Sequence, residues 1–212
     1  LIGLTGIGGA GVAVCVNSLI QLDTRIDGLP VAFLVRKLLG SAGLENAVRF
    51  LTDVPHASGQ SYVVAAPAGI AAFECSAAGA LPLARKDGDG CICHTNHPLL
   101  NRETRTFDEV CRCEDPAKLE RSRVNSERRL RCLRATVDEA GPREPPADIA
   151  VRALRSHGDD VDPICCHRTE DRSWFTAWSV VYELSDPPQA HFTCGPPCLS
   201  EYRRLTVGEK PH

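Results

Sequence analysis

The spacing of apolar and polar positions along the chain changes several times, and each change marks a predicted element. Residues 11–19 read GVAVCVNSL and are rich in Val, whose β-branched side chains favour a pleated strand. After the turn-like DTRIDGLP, two helical patterns follow, PVAFLVRKLLG and LENAVRFLTDV, divided by the breaker GSAG. In the first, Val31, Phe33, Leu34, Leu38 and Leu39 are expected to form the buried face, and in the second Ala47, Val48 and Leu51. SYVVAAPAGIAAFECS then reads as a hairpin of two short strands turning at Pro67 to Gly69, and the turn KDGDG leads to a third expected strand, CICHTN.

The second half alternates more loosely. Residues 101–125 are polar with little periodicity and are expected to form a loop excursion. A helix is expected from a cap at Asn125 or Ser126, with Leu130, Leu133 and Val137 on one side. GPREPP breaks the chain, and Asp148 stands near the start of another amphipathic helix through Ile149, Ala153 and Leu154. The strand-like segments FTAWSVVYEL and AHFTC, separated by SDPPQ, come last. Strands, two helices, strands, two helices, strands is the order of an α+β layered domain with antiparallel sheets, and it excludes a simple doubly wound one. We therefore expect residues 1–212 to belong to a single domain.

Composition narrows the function. The 212 residues are 43% hydrophobic and 24% charged, as in an ordinary globular chain. With 24 basic against 27 acidic residues the formal charge is −3, which supplies no general attraction to nucleic acid or anionic lipid and points to a small-molecule partner. Glycines crowd the first eleven residues, and neither a basic leader nor an A-x-A cleavage site is present, so residues 1–20 read as neither a signal sequence nor a membrane span. The 11 cysteines include CxC twice and one adjacent pair, without the even framework of a small secreted domain. Free thiols in a reducing, cytoplasmic compartment are the expectation.

Gly6, Gly8 and Gly11 have the GxGxxG spacing of a dinucleotide fingerprint. That fingerprint requires a strand before the first Gly, a helix opening at the third and an acidic residue about twenty positions on. Here a Val-rich strand pattern follows Gly11 while Asp23 and Asp27 come too early, so we expect no nucleotide cofactor.

The densest chemistry lies in CICHTNHPLL, residues 91–100. Cys91, Cys93, His94 and His97 are donors of the kind zinc takes, but on a strand Cys91 and Cys93 face away from His94, and we expect no metal there. A non-catalytic Cys/His metal-binding protein is the alternative function. Asn96 follows the expected strand, and an Asn carboxamide N–H there can be aimed at a developing oxyanion.

HTNHPLL resembles the HTNH motif of the acyl-CoA:6-aminopenicillanic acid acyltransferase family, within the N-terminal nucleophile (Ntn) hydrolases. Other segments fall in the family's order. GIGGAGVAVCVNSL is similar to its G-[LMF]-N-x-x-G-[LV]-A-V-x-x-N-x-L segment, and GLPVAFLVRKLLGSAGLENAVRFL to the paired helices after it. ASGQSYVVAAPAGIAAFECS is similar to the strand pair that follows, and SHGDDVDPICCHRTEDRSWFTAWSVVYEL to the H-x(n)-ICRH segment and the strand beyond.

The resemblance implies a four-layer αββα sandwich and a thiol enzyme acting on a small-molecule acyl amide or acyl-CoA thioester. In that chemistry a Cys freed by autoprocessing uses its own α-amino group as base. Asn96 carries over as the oxyanion donor, Arg172 or Arg168 as the family's guanidinium, and His94, Thr95 and His97 as substrate-binding neighbours. Gly8 departs from the family's usual Asn, and Cys166 from its Arg. The family's nucleophile lies upstream of the segment matched by residues 3–19, so the expectation is a chain whose attacking Cys precedes Leu1 and which is inactive without that segment or a partner copy supplying the missing part.

Overall fold

The structure, a computed structural model, describes residues 4–83, 90–102, 115–157, 164–170 and 174–208. Two compact units divide the chain, residues 1–124 and 125–212.

In the first unit, strands β1 (Thr5–Ile7), β2 (Ala13–Ser18), β3 (Gln60–Ala66), β4 (Gly69–Ser76) and β5 (Gly79–Pro82) form an antiparallel meander in chain order. Helices α1 (Val31–Leu39) and α2 (Leu44–Asp53) cover one face of this sheet. Alternation decides what each face carries. Val14 of β2, Tyr62 and Val64 of β3, and Phe73 and Cys75 of β4 point into the helices, meeting Leu34, Val35, Leu38, Ala47 and Leu51. These side chains make the hydrophobic core, and each fully buried Leu contributes about 2–5 kcal/mol against truncation to Ala.

The α1 face differs from expectation at one position. Phe33 is 57% exposed, while Val35 is buried beside Leu34 and Leu38. A helix turns 100° per residue, so 31, 34, 35 and 38 share a stripe from which 33 is rotated away. On α2 the expectation holds, with Ala47 and Leu51 buried and Val48 packed against the core.

The glycines of the first turn have steric roles. Gly11 has φ +76°, a conformation that favours glycine, and its N–H donates to the Gly8 carbonyl as the chain reverses between β1 and β2. A Cβ on Gly8 would lie 1.9 Å from the Leu39 carbonyl oxygen at the end of α1, so no side chain fits there. A strand begins at Ala13 where a dinucleotide fold requires a helix, which disposes of the fingerprint reading.

Two expectations beyond the hairpin are corrected. The third strand is β5, lying before the KDGDG turn, whose residues 86–89 fall outside the described set. CICHTN forms no strand, because its polar groups bond across the sheet as described below rather than along an edge. The expected loop 101–125 also ends early. Residues 103–114 lie outside the described set, and helix α3 already begins at Pro116 and runs to Asp138. Asp115 is its N-cap, accepting the Ala117 N–H at 3.0 Å on a carboxylate oxygen, with Pro at the first helical position.

In the second unit, α3 buries Ser126, Leu130 and Thr136 along one stripe, with Leu133 and Val137 half-buried beside them. Helix α4 (Pro146–Arg155) starts near Asp148 as expected and packs against β6. Strands β6 (Val180–Glu183), β7 (Gln189–Phe192) and β8 (Arg203–Thr206) form a second antiparallel sheet. FTAWSVVYEL thus pairs only in its second half. Upstream, Thr176 bonds to the 164–166 loop, donating its N–H to the Cys166 carbonyl and its hydroxyl to that of Ile164. Just past β7, the Thr193 N–H donates to the Ser179 carbonyl, while the Thr193 hydroxyl accepts from the Ser179 N–H and donates to the Gly195 carbonyl. The whole is an α+β chain with antiparallel sheets. Among the described residues, no helix is long and apolar enough to cross a membrane.

Candidate active site

The face of the first sheet opposite the helices carries a polar row. Asn17 of β2 pairs with Ser61 of β3, which pairs with Glu74 of β4, and residues directly opposite in antiparallel strands share a face. Three polar residues side by side across an apolar sheet need partners, and the segment 94–101 provides most of them.

Glu74 is the centre of this arrangement. Its side chain is fully buried, and His94 Nε2 lies 2.9 Å from Oε1. Backbone N–H groups of Leu99, Leu100 and Asn101 donate to the same carboxylate at 2.5, 3.0 and 2.8 Å. Burial pushes the Glu74 carboxyl up, but the bonds from His94 and from these backbone groups outweigh it and hold the group down at about 2. Glu74 is therefore ionised. His94 Nδ1 faces the Thr95 carbonyl at 2.6 Å, so both ring nitrogens look at oxygen atoms.

Asn17 and the chain after β2 fasten the other end. Asn17 Nδ2 donates to the His94 carbonyl at 3.2 Å, and Gln21 Nε2 to the Asn96 carbonyl at 3.4 Å. The Asn96 carboxamide Nδ2 donates to the Ser18 carbonyl at 3.3 Å, at the end of β2. Thr95 is buried, with its hydroxyl 3.3 Å from His97 Nδ1, while Asn96 and His97 are half-buried. His94 and Thr95 are thus buried supports, and Asn96 and His97 are the residues of the motif with access outward.

The remaining predicted residues lie elsewhere. Arg168 is exposed in the second unit, its guanidinium 4.9 Å from the centre of the Phe175 ring, and Arg172 falls outside the described residues. Cys91 and Cys93 place their sulfurs 3.7 Å apart, but His94 is turned to Glu74, so the CxCH set does not converge as a four-ligand centre. Cys15 sits on the exposed face of β2, because it alternates out of phase with the buried Val14. Cys75 faces the helices, where burial beside Glu74 pushes its thiol far up and leaves it inert. The positioning residues Glu74, Asn17 and Gln21 were missed, as was Ser61 between two of them in the row. Their signal was a polar side chain at alternate positions of otherwise apolar strands.

The family model described as acyl-coenzyme A:6-aminopenicillanic acid acyl-transferase matches residues 1–195 of the 212. The chain belongs to this family. A comparison with curated proteins returns no match. Membership in the acyltransferase family assigns acyl transfer as the activity at family level, with acyl-CoA or acyl-amide substrates as the plausible class. Gly8, where the resemblance led us to expect Asn, has no room for a side chain, because the Leu39 carbonyl stands where one would go.

Proposed function

We propose that this chain carries the oxyanion side of a cysteine Ntn-type acyltransferase or amidohydrolase. The observation that supports it is the placement of Asn96, whose backbone and carboxamide are both held by the 18–21 segment at the mouth of a buried ion pair. A thiolate, its proton taken by the α-amino group of the same residue, attacks the carbonyl carbon of an amide or thioester. Charge develops on the carbonyl oxygen, and the Asn96 Nδ2–H donates to it. Collapse breaks the C–N or C–S bond and expels an amine or a thiol. Water or an amine then attacks the acyl-enzyme, and the enzyme thiol is restored.

In this reading the Glu74–His94 pair and Thr95 position the strap, and His97 stands with Asn96 at the substrate. The first unit supplies one helix layer and one sheet layer of a four-layer αββα sandwich. A reducing compartment suits the nine described cysteines, which form no disulfide among themselves.

The test is Asn96→Ala in the natural gene product, with any residues its gene places before Leu1, assayed on acyl-CoA thioesters and N-acyl amides. Loss of one oxyanion donor lowers kcat by about 10²- to 10³-fold. An unchanged kcat overturns the assignment, as does failure to trap an acyl-enzyme by mass spectrometry with any of these substrates.

A further inference from the structure

The second unit holds a constellation that the acyl-transfer reading does not use. His157 lies two residues past the end of α4, Cys165 and His167 lie in the loop that follows, and Cys198 lies in the turn between β7 and β8. Their ligand atoms all lie within 4.8 Å of one another. His167 Nε2 is 3.2 Å from His157 Nε2 and 3.1 Å from Cys198 Sγ, and the two sulfurs are 3.4 Å apart. Among the described residues this is the one group of three or more His, Cys, Asp or Glu with such geometry.

We propose that His157, Cys165, His167 and Cys198 form a tetrahedral site for a divalent cation of the zinc type. Zinc–nitrogen and zinc–sulfur bond lengths give tetrahedral edges of about 3.3 Å between two nitrogens, 3.6 Å from nitrogen to sulfur and 3.8 Å between two sulfurs. The three distances of 3.4, 3.2 and 3.1 Å lie within about half an ångström of those edges, and the remaining pairs lie within 4.8 Å. Two soft thiolates and two imidazoles are a donor set that selects zinc over the hard cations. Binding releases two protons, one from each thiol, and two thiolates then balance the dication's charge.

The local fold explains how the donors converge. Cys165 N–H donates to the Ser156 carbonyl at 2.9 Å, bringing the loop against the α4 exit beside His157. Arg155 Nε donates to the Pro197 carbonyl at 2.9 Å, which brings in the turn that carries Cys198. Cys165 and His167 flank Cys166, whose N–H and carbonyl are bonded to Thr176. Four protein donors fill the tetrahedron, which makes the site structural rather than catalytic. The second unit has use for such a staple. Its buried apolar side chains among the described residues are Leu130, Ala153 and Ala190 with Cys165 and Cys166, while Trp174 and Trp178 remain about half exposed.

The test strips the purified protein with a chelator, reloads it with Zn²⁺ or Co²⁺ and removes excess metal by gel filtration. The expected result is one metal per chain, a cobalt form with tetrahedral d–d bands and thiolate charge transfer, and a Tm that falls on stripping. Cys198→Ser abolishes retention, whereas Cys166→Ser keeps it. Should Cys198→Ser fail to fold, Cys198→His retains four donors and the cobalt charge-transfer intensity falls to roughly half, one thiolate remaining of two. The proposal is overturned by wild-type protein that retains no metal, by a cobalt spectrum without charge transfer, by equal loss in Cys166→Ser, or by a Cys165–Cys198 disulfide in protein kept under reductant.

Discussion

Glu74 and His94 are joined at 2.9 Å with side-chain exposures of 0% and 1%, so an ionised carboxylate is held by an imidazole where water does not reach. Removing one partner of such a pair strands the other's charge, at about 3–5 kcal/mol. His94→Ala is expected to lose stability in that range. Glu74→Ala loses more, because it also orphans the N–H groups of Leu99, Leu100 and Asn101. Urea unfolding of the two variants ranks them, and equal midpoints would contradict the central role given to the carboxylate.

The same carboxylate sets the acid limit of the fold. Its pKa is depressed to about 2 from an ordinary value of 4.5, so the native state binds the proton more weakly than the unfolded state. The stabilisation is complete above pH 4.5 and is lost as the pH falls toward 2, amounting to about 3 kcal/mol. Circular dichroism of the wild type should show stability falling through this window. The slope should be shallower in Glu74→Gln, which has no proton to take up there.

Much of the fold was legible because strong periodicity survives tertiary context. The β2 strand, the paired helices and the β3–β4 hairpin are written in runs of Val, Leu and Ala whose spacing admits one geometry each. Phe33 misled because hydrophobicity alone ignores the phase of the helix. The N-terminal turns of α3 are highly polar, so only the Asp115–Pro116 pair announced its start. Asn96 was legible as a motif. Glu74 was not, since its bonds join residues about twenty-five positions apart, and no local pattern encodes that distance.

Gly8 offers a sharp steric test. Gly8→Asn would restore the residue usual in the family segment, yet its Cβ would fall 1.9 Å from the Leu39 carbonyl oxygen. Backbone has to move to relieve such an overlap, and the expected cost is at least about 3 kcal/mol, beyond the 1–3 kcal/mol of ordinary overpacking. Gly9→Asn is the control, because a Cβ there meets nothing within 4 Å. Thermal melts of both variants check the contrast, and a Gly8→Asn protein as stable as the control would mean that α1 ends elsewhere in solution.

Ser61 and Asn17 stand opposite each other in the polar row but differ in what they contribute. The Ser61 hydroxyl is buried and has no hydrogen-bond partner among the described residues, so it costs desolvation and returns nothing. Ser61→Ala removes that penalty and is expected to leave stability unchanged or raise it, by up to about 1 kcal/mol. Asn17 donates to the His94 carbonyl at 3.2 Å, and Asn17→Ala leaves that carbonyl without this donor, at about 1 kcal/mol. Since the bond also holds the strap that carries Asn96, Asn17→Ala should lower kcat with little change in KM, whereas Ser61→Ala changes neither. Steady-state kinetics and urea titrations on the two variants separate a positioning side chain from a bystander in the same row.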